Sequence, residues 1–240
     1  MPIAVISDIH ANLEAFEAVL ADIKNRKITD IICLGDCIGY GPNPEEVVRL
    51  VQKRAITCVL GNHEMGVLHA PSEAWFNPKA RINVQATRAM LSTNSLDFLA
   101  TFPRHIIKKD ALFVHGFPPD SPFVYLYQKE GEELEKALRA MLHPLAFVGH
   151  THELVLAGIH HGQLETTILS EGPLNLGYEK CIVNVGSVGQ PRDGNNAAKY
   201  VIWDNEAKMI EVCFIPYDFE TTIEKIKALG FPDYYGERLR

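Results

Sequence analysis

AITCVLGNHE, residues 55–64, runs from an apolar, β-rich segment straight into a glycine, an amide, an imidazole and a carboxylate. Ala55 to Leu60 reads as a buried strand, so Asn62, His63 and Glu64 are expected at its carboxyl end. Four other apolar runs end the same way. Ile3 to Ser7 leads into Asp8-Ile9-His10, and Asp30 to Leu34 into Gly35-Asp36. Ala111 to Val114 leads into His115-Gly116, and Leu145 to Val148 into Gly149-His150-Thr151-His152. Open parallel sheets gather their ligands at the carboxyl ends of their strands. The spacing therefore predicts that these polar residues, far apart in the chain, converge on one site.

The segments between the runs support a sheet of βαβ units. Leu13, Phe16, Leu20 and Ile23 recur at helical spacing, and Asn43-Pro44 opens a short helix reaching Val51. Asn77 to Leu99 reads as helix with a break at residues 93–95. Strands then dominate: Ile106-Ile107, Ala111–Val114, Leu145–Gly149, Leu154–Gly158, Leu164–Leu169, Cys181–Val185, Tyr200–Trp203 and Ile210–Ile215. One helix, Glu132 to Leu142, interrupts them, and Glu220 to Leu229 is expected to close the chain. No linker, low-complexity tract or internal repeat divides residues 1–240, which read as a single domain with two sheets sharing a core.

The chain has 240 residues, 47% hydrophobic and 22% charged, the mix of a globular protein with a sizeable core. Its formal net charge of −7 gives no general attraction to nucleic acid or anionic membrane, so neither is expected as a partner. No apolar stretch approaches the roughly 18–20 residues of a membrane span. The first residues lack the basic and small-residue features of a signal peptide and read as a strand. Five cysteines, an odd number without a paired framework, fit a reducing, cytoplasmic setting. Cys33 and Cys37, flanking Gly35-Asp36, read as small buried hydrophobes rather than thiolate ligands.

Asp8, His10, Asp36, Asn62, His115, His150 and His152 supply carboxylate, amide and imidazole donors without sulfur. Such a set suits Mn, Fe, Zn, Co or Ni rather than calcium or a thiolate zinc site. Seven donors exceed the needs of one open catalytic ion and match two transition-metal ions sharing a bridging carboxylate. His69, His105, His143, His160 and His161 match no motif and read as surface or structural.

The ordered series Asp8-x-His10, Gly35-Asp36, Gly61-Asn62-His63-Glu64, His115 and Gly149-His150-x-His152 resembles the calcineurin-like metallophosphoesterase superfamily. Gly-Tyr-Gly-Pro-Asn-Pro (39–44) and Asn-Val-Gly-Ser-Val-Gly-Gln-Pro-Arg (184–192) resemble its small prokaryotic phosphodiesterase branch. The resemblance implies an α/β fold, a four-layer α/β/β/α sandwich of two mixed sheets packed face to face and flanked by helices. It implies that Asp8, His10, Asp36 and His152 hold one ion and Asp36, Asn62, His115 and His150 the other. His63 would act on the leaving oxygen as an acid, oriented by a nearby carboxylate, while Glu64 orients or merely supports. A metal-bridged hydroxide would attack phosphorus.

The superfamily's protein phosphatases follow the second motif with an Arg that grips phosphate. Here the chain reads Gly35-Asp36-Cys37-Ile38-Gly39-Tyr40, and Arg192 is the candidate replacement. Phe117, Phe123, Tyr125 and Tyr127, with Trp75-Phe76, offer either base-stacking faces or core and dimer surface. The expected substrates are small-molecule phosphodiesters or nucleotides, including dinucleoside polyphosphates. The alternatives are a phosphomonoesterase or protein phosphatase, and a non-catalytic scaffold, which the complete donor set disfavours. Homo-oligomerisation stays open.

Overall fold

The computed structural model describes residues 1–240. Two mixed sheets of six strands each form its centre. In the first, β1 (Ile3–Ile6), β2 (Asp30–Cys33) and β3 (Thr57–Cys58) run parallel. Antiparallel to β1 follow β11 (Ala198–Asp204), then β12 (Met209–Ile215) and β9 (Gly172–Asn175) at the edge. In the second, β5 (Ala111–Val114), β6 (Leu145–Val148) and β10 (Lys180–Val185) run parallel. Flanking them antiparallel are β4 (His105–Lys108) on one side and β7 (Leu154–His160) with β8 (Gln163–Ile168) on the other.

The two-residue period of a strand explains the layering. Ile3 and Val5 of β1 pack between the sheets with Phe113 of β5, Phe147 of β6, Val183 of β10 and Trp203 of β11. The alternate residues Ala4 and Ile6 face a helical layer, packing with Phe16 and Val19 of α1 (Leu13–Asn25) and Val47 and Val51 of α2 (Pro44–Lys53). On the far side, Leu112, Val114, Ala146 and Val148 pack with Leu134 and Leu138 of α6 (Gly131–Ala140). Strands buried on both faces need continuous apolar sequence, and β1, β5 and β6 are buried throughout. The expected α/β/β/α sandwich is the observed architecture. No helix is long and apolar enough to cross a membrane.

Three local readings need correction. The strand expected over Ala55–Leu60 is only Thr57–Cys58: Ala55 takes a left-handed φ of 51° as α2 ends, and Leu60 N–H turns out of the sheet to Pro103 O at 2.8 Å. The sequence reading has no strand between Leu169 and Cys181, yet Gly172–Asn175 forms β9, where the edge position tolerates a residue without an N–H. The helix over residues 220–229, observed as α7 (Phe219–Ala228), does not close the chain; α8 (Asp233–Glu237) folds back on it.

Candidate metal centre

Asp8, Asp36, His115, His150 and His152 all lie within four residues of the end of a parallel strand. The backbone ladders continue past those strands. Asp8 N–H donates to Gly35 O at 3.1 Å, His10 N–H to Asp36 O at 2.9 Å, and Gly149 N–H to His115 O at 2.8 Å. The loops touch so closely that side chains are excluded between them. A Cβ on Gly35, whose φ is 93°, would lie 2.5 Å from Gly61 N; one on Gly149 would lie 1.9 Å from Ser7 Oγ and 2.5 Å from Asp8 Oδ2. This is why glycine accompanies the polar residues. Asp8, His10, Asp36, His150 and His152 themselves all adopt positive φ, between 48° and 69°. Non-glycine residues hold that conformation only where surrounding structure enforces it, commonly at functional sites.

All seven residues singled out from the sequence meet. Asp8, His10 and His152 form one buried group, and Asp36, His115 and His150 another; within each, the polar atoms lie within 4.8 Å of one another. Asp36 Oδ2 stands between the groups, 3.3 Å from His115 Nε2 and 3.8 Å from His10 Nε2. Asn62, the first residue of the helix α3 (Asn62–Leu68), places Oδ1 3.0 Å from His115 Nε2.

Each of the four imidazoles is fixed by its outer nitrogen. Nδ1–H of His10, His115 and His152 donates to the carbonyls of Ile38 (3.1 Å), Leu34 (2.8 Å) and Gln190 (2.6 Å), and Nε2–H of His150 to Phe123 O (3.2 Å). These bonds aim the inner nitrogens at the carboxylates, the arrangement by which protein carbonyls orient metal-binding histidines. His10 Nε2 and His152 Nε2 lie 3.0 Å apart, so two inward lone pairs face each other. Asp8 Oδ1 is buried without any hydrogen-bond partner. Neither carboxylate is paired with a lysine or arginine. A buried anionic pair of this kind calls for a cation, and the N/O donors present fit two transition-metal ions.

The metal-free electrostatics point the same way. Burial alone would raise the Asp8 carboxyl, but His152 and His10 hold it well below the usual carboxylate range. Asp36 is likewise lowered, its desolvation outweighed by His115 and His63. Burial alone would lower His115, yet Asp36 and Asp8 push it up to about 10, so a proton occupies the place where positive charge is wanted. Burial keeps His150 and His152 neutral, lowered to about 3 and about 4.

His63 sits beside this centre without being fixed like a ligand. Its backbone N–H donates to Asp36 Oδ1 at 2.9 Å, its ring packs edge-on to His10 at 5.0 Å and Phe76 at 5.1 Å, and Nδ1 has no partner. The Asp36 carboxylate lies within 4.8 Å of the His63 ring, but no carboxylate hydrogen-bonds it in the orienting role expected. Glu64 instead binds backbone: Oε2 accepts from Asp36 N–H (2.8 Å) and Gly61 N–H (2.9 Å), and Oε1 from Cys37 N–H (2.8 Å) and Ile38 N–H (3.4 Å). Burial and the charge of Asp36 push this carboxyl up to about 8. Every neighbour of its oxygens is nevertheless a donor, with no acceptor for a carboxyl proton, so we read Glu64 as ionised. It clamps the second and third motif loops together. Burial also lowers His63, to about 3, so the free site holds this ring neutral.

Several neighbours went unnoticed in the sequence. Ser7 Oγ–H donates to Asp8 Oδ2 at 2.6 Å, and Ser187 Oγ–H to Asp8 O at 2.8 Å. Tyr40 lies over His10 and His63, 4.7 and 4.5 Å between ring centres. Tyr125, by contrast singled out with the loop aromatics, stacks on His150 at 3.7 Å. Of the aromatics noted in advance, Trp75 and Phe123 stack on each other at 5.0 Å with Trp75 largely exposed, whereas Phe117 is core. Arg192 is exposed close by; burial pushes Tyr40 up to about 12 against the opposing charge of Arg192. None of His69, His105, His143, His160 or His161 joins the cluster.

The chain matches the model of the calcineurin-like phosphoesterase superfamily domain over residues 1–208. It is 40% identical over 243 residues to an uncharacterized protein of Methanocaldococcus jannaschii, covering 99% of this chain and 96% of that one. A crystal structure of a metallophosphoesterase from Sphaerobacter thermophilus is similar with a TM-score of 0.88 and 34% identity, covering 100% of this chain and 98% of the other. A shorter match, 43% identical over 67 residues, spans 27% of this chain and 25% of a symmetrical bis(5'-nucleosyl)-tetraphosphatase of Wigglesworthia glossinidia brevipalpis.

Proposed function

Since the chain belongs to the calcineurin-like phosphoesterase superfamily, we propose that it hydrolyses phosphodiesters and nucleotides, dinucleoside polyphosphates among them, with two metal ions. The observation that carries this reading is the buried double cluster around Asp36, with Asp8 Oδ1 left unpartnered. Asp8, His10, Asp36 and His152 would hold one ion, and Asp36, Asn62, His115 and His150 the second. When bound, the ions supply Lewis-acid polarisation at phosphorus and lower the pKa of water to near neutrality.

The chain's own groups do the rest. The carbonyls of Ile38, Leu34, Phe123 and Gln190 hold the imidazoles in one tautomer. Asp36, drawing on His63 N–H, ties the shared carboxylate to the start of α3. His63 then faces the leaving oxygen as a donor. An arriving phosphate anion favours its protonated form, opposing the burial that keeps the free ring neutral. The second motif, Gly35-Asp36-Cys37-Ile38-Gly39-Tyr40, lacks the arginine with which the protein phosphatases continue it, which supports diesters over phosphoproteins. Arg192 would neutralise phosphate oxygens instead. Tyr125, and the Trp75–Phe123 stack beyond it, offer faces to a nucleobase. The partial match to a tetraphosphatase supports the same substrate class. Residues 1–240 would act as one domain. The five free, buried thiols support a reducing cytoplasm.

The test is elemental analysis of the purified protein together with a phosphoester panel run with and without chelator. About two ions per chain, and diester or nucleotide hydrolysis lost on chelation and restored by metal, are expected. A protein that hydrolyses no phosphoester with any of these metals would overturn the reading.

A further inference from the structure

The loop after Gln190 and the segment around α8 flank an open pocket of about 300 Å³ whose lining is polar apart from Pro191 and Gly194. Arg192, Arg238 and Arg240 line it together with the amides of Asn195 and Asn196. No aspartate or glutamate takes part in its wall. Asp193, the acid nearest Arg192 in sequence, is turned to Lys199 Nζ at 2.8 Å. Arg192 and Arg238 make no ion pair, and the sole polar side-chain contact of the Arg192 guanidinium is a long one, 3.4 Å to Gln190 Oε1. Arg240 has one exposed partner, Glu220 Oε2 at 3.1 Å. Arg192 and Arg238, the latter over the Tyr234 ring at 5.6 Å, are thus left without a compensating carboxylate, and neighbouring cations repel one another unless an anion sits among them.

This cavity adjoins the metal centre. Gly189 and Gln190 wall the crevice over His10, and the next residues, Pro191 and Arg192, wall the cationic cavity. The opposite wall alternates likewise: Tyr235 and Leu239 face the crevice, whereas Arg238 and Arg240 face the cavity. Gln190 O is also the group that accepts from His152 Nδ1. An anion in the pocket would thus lie beside the segment that holds the His152 ring. Arg238 and Arg240 belong to the C-terminal segment, outside the residues 1–208 matched to the superfamily.

We propose that Arg192, Arg238 and Arg240 form a polyphosphate subsite that holds the phosphates next to the one under attack. Resting on the hydrolase reading above, this narrows the substrate to molecules with consecutive phosphates, such as nucleoside or dinucleoside polyphosphates. A guanidinium fork pairs well with phosphate oxygens, and a substrate with one phosphate cannot use the subsite.

The experiment compares the metal-loaded full chain with Arg238→Gln, Arg240→Gln and the double variant, all at exposed positions. KM is measured for diadenosine tetraphosphate and for bis(p-nitrophenyl) phosphate, and binding of inorganic tripolyphosphate by calorimetry. Each substitution should raise KM for the tetraphosphate roughly tenfold, the low end for charged hydrogen bonds. The double variant should raise it at least tenfold more than it raises KM for the single-phosphate diester. Equal rises for both substrates, or none, overturn the subsite. Should the wild type cleave no polyphosphate, the substrate reading fails by itself. Tripolyphosphate binding weakened tenfold or more by the double variant would then still support the anion site, and unchanged binding would overturn it.

Discussion

Glu64→Gln separates a clamp from a catalyst. The substitution preserves shape and removes one acceptor oxygen, putting an amide NH2 in its place. Each oxygen of Glu64 now receives two backbone N–H groups, from Asp36 and Gly61 on one side and from Cys37 and Ile38 on the other. Whichever way the glutamine amide turns, its NH2 faces one of these pairs, donor against donor. Glu64 is fully buried, so water does not replace the lost bonds. Two orphaned donors at roughly 1–3 kcal/mol each give a loss of about 2–6 kcal/mol. In a chain of 240 residues, about 2–4 °C of melting temperature goes with each kcal/mol, so a fall of about 10 °C is expected. The loops that separate are those carrying Asp36 and Asn62, so metal content should fall as well. Calorimetric melting and elemental analysis on the same samples make the test. A variant that melts within 2 °C of wild type and keeps its metals while losing turnover would refute the clamp and make Glu64 a participant in the chemistry.

Asp36→Asn weakens the group shared by both clusters, so metal content and turnover should fall together; two ions per chain by elemental analysis would contradict the shared role. His63→Ala should retain its metals and lose roughly 10²–10⁴ in turnover, with a smaller loss for substrates whose leaving group needs little protonation. A loss independent of leaving-group pKa would make His63 a positioning residue. For chelated protein, pH dependence follows from three neutral imidazoles. His63, His150 and His152 lie at about 3, 3 and 4 in the fold against 6.5 unfolded, so their contribution is complete above pH 6.5 and is lost as pH falls toward those values. Unfolding near pH 5–6 should take up nearly three protons, a decline of roughly 3–4 kcal/mol per pH unit. His115, raised from 6.5 to about 10, contributes fully below pH 6.5 and loses that contribution as pH climbs from there to about 10, so it does not offset the loss between pH 6 and 5. Urea midpoints of the chelated protein at pH 7, 6 and 5 check this; a flat profile would contradict it.

Apolar periodicity and its punctuation are local properties, and they carried most of the architecture. Ile3–Ile6, Ala111–Val114 and Leu145–Val148 read as strands buried on both faces because no polar residue interrupts them, and buried on both faces they are. The polar residues after those runs were legible as one convergent set because parallel strands share an end. Tertiary structure alone decided what depends on distant partners. The β9 segment with Pro173 has no strand pattern of its own and finds its place only at an edge beside β12. Glu64 could orient its neighbour or merely brace until the N–H groups of Asp36 and Cys37, 28 and 27 residues away, close on it. The left-handed backbone of Asp8, His10, Asp36, His150 and His152 has no signature in those residue types, because it is imposed by loops pressed backbone to backbone. Arg192 is a phosphate-binding candidate from its loop alone, but nothing in the sequence joins Arg238 and Arg240 to it. Only the folding of α8 toward the Gln190–Asn196 loop puts their charges around one cavity, since like charges far apart in sequence are brought together by packing energy gained elsewhere, in the Ile223, Ile226, Tyr235 and Leu239 cluster that anchors that segment.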